Sequence, residues 1–187
     1  MIKNGENIGS ITIEDPIRED SKLAVSKLKN LGIVPIMLTG DNRETAQAIA
    51  DRVGIEKVYS EVKPQDKLNI IREYQQKGSK ILMVGDGIND AASLKGADIG
   101  VAIGEGADLA VDNADMVIVK GGLSRIVDSI EISQKTFRII KQNLFWAFFY
   151  NGMMIPLAMA GFLHLAIAEG AMAVSSITVI LNSLRIK

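Results

Sequence analysis

A glycine-rich acidic turn carries the strongest chemical signal in the sequence. It follows the apolar run Lys80–Val84 and reads Gly85-Asp86-Gly87-Ile88-Asn89-Asp90. Adjacent carboxylates repel one another unless a cation or a proton neutralises them. Hard oxygen ligands of this kind suit Mg²⁺, which binds carboxylates together with water and substrate phosphate. The turn is therefore predicted to bind Mg²⁺, with a purely structural turn of Asp and Asn side chains as the alternative.

Two weaker signals point to an anion. Thr39-Gly40-Asp41 follows the run Ile33–Leu38 and opens a predicted helix, Arg43–Val53. A hydroxyl and backbone N–H groups at a helix N-terminus can cradle an anion, although such a tripeptide also serves as an ordinary cap. Lys67 falls in the first turn of the next helix, where the helix dipole disfavours a cation unless an anion is near. A solvated surface lysine is the alternative for Lys67.

The elements that must position these residues alternate between apolar β-branched runs and segments of helical period. This alternation is typical of βαβ units around a parallel sheet. The predicted segments are Ile8–Ile13, Asp20–Leu31, Ile33–Leu38, Arg43–Val53, Val58–Tyr59, Gln65–Lys77, Lys80–Val84, Ala91–Leu94, Ile99–Ile103 and Met116–Val119. Open α/β sheets bind ligands at the carboxyl ends of their strands. The site is therefore predicted just beyond Leu38 and Val84.

Composition narrows the range of partners. The formal net charge is −1 and the chain has no cysteine. A nucleic-acid binder normally carries a concentrated basic face, and the sequence contains none, so no nucleic-acid partner is expected. The lack of cysteine excludes thiolate catalysis and cysteine metal sites, so a soft metal would need another ligand.

The last quarter of the chain is apolar. Between Asn143 and Leu184 there is no Lys or Arg, and Glu169 is the sole acid. A spanning helix needs about 20 mostly apolar residues, so two membrane spans are predicted at about 144–163 and 166–184. Lys and Arg flank both ends, which predicts that the soluble part and both termini are cytoplasmic. We expect a multi-pass protein of the cell membrane.

This pattern divides the chain into three predicted regions. Residues 1–122 form the α/β domain, residues 123–143 a stalk helix, and residues 144–187 a transmembrane hairpin. The helical pattern from Leu123 to Gln142 contains no Pro or Gly and runs directly into the first span. No apolar segment of a signal peptide is found at the N-terminus.

The motifs of the soluble part resemble those of the haloacid dehalogenase superfamily in its P-type ATPase form. The matching residues are Met37-Leu38-Thr39-Gly40-Asp41-Asn42, Lys67 and the acidic turn, in the family's order and approximate spacing. The resemblance implies a Rossmann-like parallel sheet, here a partial phosphorylation domain. It further implies that Thr39 and Lys67 contact a phosphoryl group, and that Asp86 holds Mg²⁺ with support from Asp90. Gly40 and Asp41 would complete the catalytic turn, and Gly85, Gly87 and Asn89 would shape the phosphate site.

The apolar part resembles the Cu⁺ branch of the heavy-metal ATPases. The matching motifs are Tyr150-Asn151 in the first span and Met172-x-x-Ser175-Ser176 in the second. The resemblance implies that Tyr150, Asn151, Met172, Ser175 and Ser176 line the copper pathway, and thioether sulfur is a soft donor suited to Cu⁺. Ser and Asn also commonly mediate packing between transmembrane helices, which is the alternative for the two serines.

One family motif is absent from the sequence. The segment Asp-Lys-Thr-Gly-Thr, whose aspartate receives the phosphoryl group, occurs nowhere in these residues. We therefore expect a fragment, a split subunit or a truncated reading frame of a Cu⁺-exporting ATPase, inactive alone. Its expected partners are the membrane, the missing N-terminal part and a copper chaperone, with ATP and Mg²⁺ as cofactors. The alternatives are a membrane-anchored Mg²⁺- and phosphate-binding regulatory module, a Zn/Cd-type ATPase fragment and a small phosphatase.

Overall fold

The chain divides into two units, Met1–Val127 and Asp128–Lys187. The computed structural model describes the backbone of Ile2–Lys3 and Glu6–Asn7 and residues 16–86, 89–104, 112–161 and 165–186. The predicted strand Ile8–Ile13 and the site residue Gly87 lie outside the described residues.

The first unit alternates strands and helices, as the sequence predicts. In chain order its elements are β1 (Ile2–Lys3), β2 (Glu6–Asn7), α1 (Ser21–Asn30), β3 (Ile36–Leu38), α2 (Arg43–Val53), β4 (Lys57–Tyr59), α3 (Pro64–Gln76), β5 (Leu82–Gly85), α4 (Ala91–Gly96), β6 (Ile99–Ile103) and β7 (Met116–Ile118). β3 pairs in parallel with β4, and β5, β6 and β7 form a second parallel sheet in that order. The parallel α/β prediction is confirmed. β1 and β2 form a separate antiparallel pair.

Local signals explain where the helices of this unit begin and end. The Asn42 side chain accepts a hydrogen bond from the Thr45 backbone N–H at 2.9 Å, which caps α2. At the other end of α2, Gly54 has a φ of 85°, a left-handed conformation that glycine adopts without a side-chain penalty. Pro64 starts α3, where its missing N–H has no helical partner to lose.

The core of the first unit joins helices to the second sheet. Ile71 of α3, Met83 of β5, Leu94 of α4 and Ala102 of β6 are each no more than 7% exposed and form one cluster. Leu38, at the end of β3, packs against the same cluster. The predicted site residues that follow β3 and β5 are therefore attached to strands that share one core.

The second unit consists of helical segments from two elements. α5 (Ser124–Met159) begins in the first unit and continues through the second, and α6 (Leu165–Ser183) follows. α5 therefore runs from the end of the first unit into the apolar region. α5 ends at Met159, inside the first predicted span.

Over the part of the chain that the structure describes, no helix combines the length and the hydropathy needed to cross a membrane. The two membrane spans are not confirmed and stay a prediction.

Candidate functional site

The turn after β3 is closed by Thr39 and Asp41. The Thr39 hydroxyl donates to Asp41 Oδ2 at 2.7 Å, and the Asp41 N–H donates back to Thr39 Oγ1 at 3.1 Å. The Thr39 N–H donates to the Tyr59 carbonyl at 3.0 Å, which extends the pairing of β3 with β4 by one residue. Thr39 is partly buried, whereas Gly40 and Asp41 are exposed. The turn therefore presents an oriented hydroxyl and a carboxylate at the N-terminus of α2.

Lys67 and Asp90 form an ion pair in the structure. Lys67 Nζ lies 2.7 Å from Asp90 Oδ1, and the two side chains are only 13% and 11% exposed. Lys67 lies in the first turn of α3, where the helix dipole disfavours a cation. Asp90, twenty-three residues further along the chain, supplies the compensating anion. Lys67 is therefore not the solvated surface lysine that the sequence left as an alternative.

The position of Asp90 depends on the glycine that ends β5. A Cβ on Gly85 would lie 2.5 Å from Asp90 Oδ2 and 2.7 Å from Asp90 Cβ, distances that real Cβ atoms essentially never show. Asp90 therefore occupies the space that a side chain at position 85 would fill. Its backbone carbonyl accepts the Leu94 N–H at 2.8 Å and so starts α4.

Asp86 is the exposed carboxylate of the acidic turn. The Asn89 N–H donates to Asp86 Oδ1 at 3.3 Å. Lys67, Gly85, Asp86, Asn89 and Asp90 thus lie together between the end of β5 and the first turn of α3.

The acidic residues that the structure describes can bind Mg²⁺ through one carboxylate together with water and phosphate. No group of three or more His, Cys, Asp or Glu side chains that could hold a metal is found among the described residues. Asp90 is paired with Lys67, and Asp86 is exposed to solvent. Mg²⁺ usually keeps several waters and takes one or two carboxylates plus substrate phosphate oxygens. The donor set therefore fits a Mg²⁺ ion held by Asp86 and completed by water and phosphate.

A cleft of about 300 Å³ lies between α5 and α6 in the second unit. Its lining includes all five residues predicted for the copper pathway, together with two that the sequence reasoning missed. These seven residues are Tyr150, Asn151, Met154, Ala171, Met172, Ser175 and Ser176. The Ser176 hydroxyl donates to the Met172 carbonyl at 3.1 Å, which leaves its oxygen lone pairs as acceptors. The sequence does contain a signal for Met154, because this residue lies four positions after Tyr150 and therefore on the same face of the helix.

Interhelical hydrogen bonds set the register of this hairpin. Asn143 Nδ2 donates to Ser183 Oγ at 2.9 Å, and Asn182 Nδ2 donates to Asn143 Oδ1 at 2.8 Å. Asn143 therefore acts as donor to one residue of α6 and acceptor from its neighbour. In the sequence, Asn143 marks the start of the apolar region, and no local pattern predicts its partners on α6.

Two carboxylates that the sequence reasoning did not single out act as anchors. The Ser124 N–H donates to Asp20 Oδ2 at 3.0 Å, so Asp20 caps the start of α5, and this bond lowers the pKa of Asp20. Asp98 accepts from the Lys80 ammonium at 2.8 Å, the Ile81 N–H at 3.0 Å and Gln75 Nε2 at 3.1 Å. Lys80 is the largest cause that holds the pKa of Asp98 far below its usual range. Both carboxylates therefore join segments that are separate in the sequence, and neither belongs to the acidic turn.

Comparison with known proteins places this geometry in a family. Residues 1–98 match the family described as haloacid dehalogenase-like hydrolase. The chain is 49% identical over 184 residues to a copper-exporting P-type ATPase of Bacillus subtilis (strain 168), covering 98% of this chain and 23% of the relative. It is 48% identical over 187 residues to a probable copper-importing P-type ATPase A of Enterococcus hirae (strain ATCC 9790), covering 98% of this chain and 26% of the relative.

One solved structure resembles this chain over nearly the whole length of the chain. The chain matches a zinc-transporting PIB-type ATPase in the E2.Pi state with a TM-score of 0.90 at 34% identity, covering 99% of this chain and 30% of that one. The chain spans about a quarter of the length of the curated relatives it matches. The family match covers more than half of the chain. The chain therefore belongs to the haloacid dehalogenase-like hydrolase family, and over nearly its whole length it is related to the P-type ATPases.

Proposed function

We propose that this chain is part of a P-type ATPase that couples ATP hydrolysis, through an aspartyl-phosphate, to export of Cu⁺ across the cell membrane. The observation that carries the proposal is the cleft between α5 and α6, whose lining combines thioethers with a phenol, an amide and two hydroxyls. No carboxylate lines this cleft within the described residues. Soft thioether ligands favour Cu⁺ over harder divalent cations.

The phosphate chemistry is assigned to the cluster at the end of β5. The Lys67 ammonium has three N–H donors, and the Asp90 contact uses one of them. The other two are available to the oxygens of a phosphoryl group, as is the Thr39 hydroxyl once it releases Asp41. Preorganised donors of this kind stabilise charge that develops on the transferred group. Asp90 acts as a positioning residue that holds Lys67 in place.

Asp86 is proposed as the protein ligand of Mg²⁺. When bound, Mg²⁺ would neutralise charge on the phosphoryl oxygens and orient them for in-line attack. ATP is proposed to bind mainly through the parts of the relatives that this chain does not cover.

The chain is proposed to be inactive by itself. Aspartyl-phosphate chemistry needs a carboxylate nucleophile, and the family's Asp-Lys-Thr-Gly-Thr segment is not in this sequence. Within the described residues, β3 pairs with β4 alone and β5 with β6 alone. Unpaired strand edges are templates for another strand. The remaining part of the ATPase is therefore proposed to complete the sheet and to supply the nucleophile.

The apolar helices are proposed to lie in the membrane, with both termini cytoplasmic. Many large apolar side chains of α5 and α6 are exposed, among them Phe145 at 61%, Phe148 at 68% and Ile177 at 55%. An exposed apolar surface of this extent indicates contact with lipid or with other apolar helices. The relatives are named as copper pumps, which supports the membrane as the partner of this surface.

Complementation tests the proposal. The chain is co-expressed with the preceding part of the Bacillus subtilis copper exporter, and Cu⁺-dependent ATP hydrolysis is measured in isolated membranes. We expect no hydrolysis by either part alone and Cu⁺-dependent hydrolysis by both together. Asp86→Asn should abolish it, whereas Glu73→Gln, which changes an exposed carboxylate on α3, should not. ATP hydrolysis by the isolated chain, or indifference of the complemented pair to Asp86→Asn, would refute the proposal.

The same membranes separate the competing functions. The similarity to a zinc-transporting ATPase is the observation that favours a Zn/Cd-type pump, which predicts stimulation by Zn²⁺ or Cd²⁺ but not by Cu⁺. Transport into inverted vesicles distinguishes export from the import named for the Enterococcus relative. A regulatory module predicts Mg²⁺-dependent binding of a phosphate analogue without rescue of hydrolysis. Delivery of Cu⁺ by a chaperone is tested by supplying the metal in its chaperone-bound form.

A further inference from the structure

Met154 lines the cleft between α5 and α6 on the same helix face as Tyr150. It is partly buried, whereas its neighbour Met153 is 49% exposed and does not line the cleft. Two adjacent methionines therefore differ in position, and only one of them faces the cleft.

The register of the hairpin brings Met154 level with Met172. Asn143 and Ser183 are joined by a hydrogen bond, which marks one height along the two antiparallel helices. Met154 lies eleven residues after Asn143, and Met172 lies eleven residues before Ser183. At 1.5 Å per residue, both lie about 16 Å from that bond along the helix axes. The two thioethers therefore belong to opposite walls of the cleft at the same height.

The intermediate positions follow the same register. Tyr150 lies seven residues after Asn143, and Ser176 lies seven residues before Ser183. Both line the cleft. A slip of one helical turn would move one wall by about 5.4 Å and would place Met154 opposite a residue without sulfur.

We propose that Met154 is a ligand for a soft monovalent cation, which it binds together with Met172; this inference rests on the proposed function. Thioether sulfur binds Cu⁺ and chemically similar soft ions. The Met side chain is unbranched and has three rotatable bonds, so the two sulfurs can adjust to one ion without movement of the helices. The neutral oxygens of Tyr150, Asn151 and Ser176 would complete the site as weaker donors.

Ag⁺ serves as the probe, because it is a soft monovalent cation that does not need a reducing agent. The 187-residue chain is held in detergent micelles, and its Ag⁺ affinity is measured by competition with a chelator. Leucine replaces methionine in each variant, since the two side chains have similar volume and the exchange usually disturbs packing little. The matched control is Met153→Leu.

We expect Met154→Leu and Met172→Leu each to weaken Ag⁺ binding roughly tenfold or more, a typical size for changes close to a metal. Met153→Leu should leave the affinity within about twofold. Met154→Cys should restore tight binding, because the sequence has no other cysteine and a thiolate is a soft ligand. Circular dichroism at 222 nm checks that every variant keeps its helical content.

The outcomes separate this inference from the proposed function. If Met172→Leu loses binding and Met154→Leu does not, Met154 is no ligand, but the proposed copper cleft stands. If neither variant changes the affinity, both the inference and the copper assignment of the cleft are overturned. Equal weakening by Met153→Leu and Met154→Leu would also overturn the inference, because the effect would not depend on facing the cleft.

Discussion

Asp90→Asn tests whether the Lys67–Asp90 pair is a buried electrostatic unit. The substitution keeps the shape of the side chain, which lies against Gly85, and removes its negative charge. Lys67 Nζ would then lose its carboxylate partner at 2.7 Å while its side chain stays only 13% exposed. An unpaired charge in such a position is costly because the protein does not replace the lost hydration.

The expected loss of stability distinguishes a buried ion pair from an exposed one. Breaking a buried pair by removing one partner typically costs about 3–5 kcal/mol, and the lower end applies here because each side chain keeps roughly a tenth of its exposure. An exposed pair contributes only about 0.2–1 kcal/mol. A loss of about 3 kcal/mol corresponds to more than a 100-fold increase in the population of the locally opened state.

Amide hydrogen exchange, followed by mass spectrometry of peptides from α3 and β5, measures this population in the full chain. We expect exchange in these peptides to accelerate by roughly 100-fold in Asp90→Asn. Lys67→Met combined with Asp90→Asn should recover most of the protection, because no uncompensated charge remains.

Glu73→Gln is the matched control, since Glu73 pairs with Lys77 in the same helix but both side chains are more than 60% exposed. Exchange should change by about twofold or less in this variant. If Asp90→Asn accelerates exchange no more than Glu73→Gln does, the pair is not a buried unit and the reasoning is wrong.

Three further predictions concern other contacts. Gly85→Ala should destabilise β5 by about 1–3 kcal/mol, because the new methyl group meets Asp90; unchanged exchange in the β5 peptide would contradict this. Asp20→Ala should cost about 1 kcal/mol at pH 7, because it removes the side-chain acceptor of the Ser124 N–H. The pKa of Asp20 lies below its usual value of 3.8, so its ionised carboxylate adds to the free energy of unfolding above pH 3.8, and this contribution is lost as the pH falls through the lowered pKa. Asp20→Asn removes the titrating group. Its thermal unfolding between pH 5 and pH 3 should therefore depend less on pH than that of the unmodified chain. Asn143→Ala removes two interhelical bonds and Ser183→Ala only one, so thermal unfolding in detergent should show about twice the loss in Asn143→Ala, at about 0.6 kcal/mol per bond.

The sequence predicts the order and type of the elements well. The runs ending at Leu38 and at Val84 become β3 and β5, with ends that differ by at most three residues. Apolar period and turn residues are local properties, so they predict local structure. The region after Leu123 is helical, whereas the two membrane spans are not confirmed. Their prediction came from composition, and composition does not determine where a helix ends.

The same distinction between local patterns and long-range contacts applies to the functional residues. Sequence alone determined which residue types follow each strand, and it predicted that Tyr150 and Asn151 on one helix would act with Met172 and Ser176 on another. Only the tertiary structure decided that Asp90 pairs with Lys67, because that pair joins α3 to the start of α4 across twenty-three residues. Met154 likewise became a candidate ligand through the register that Asn143 and Ser183 set between the two helices. Spacing along one helix follows from backbone geometry, whereas contacts between separate elements depend on how those elements pack, which no local pattern specifies.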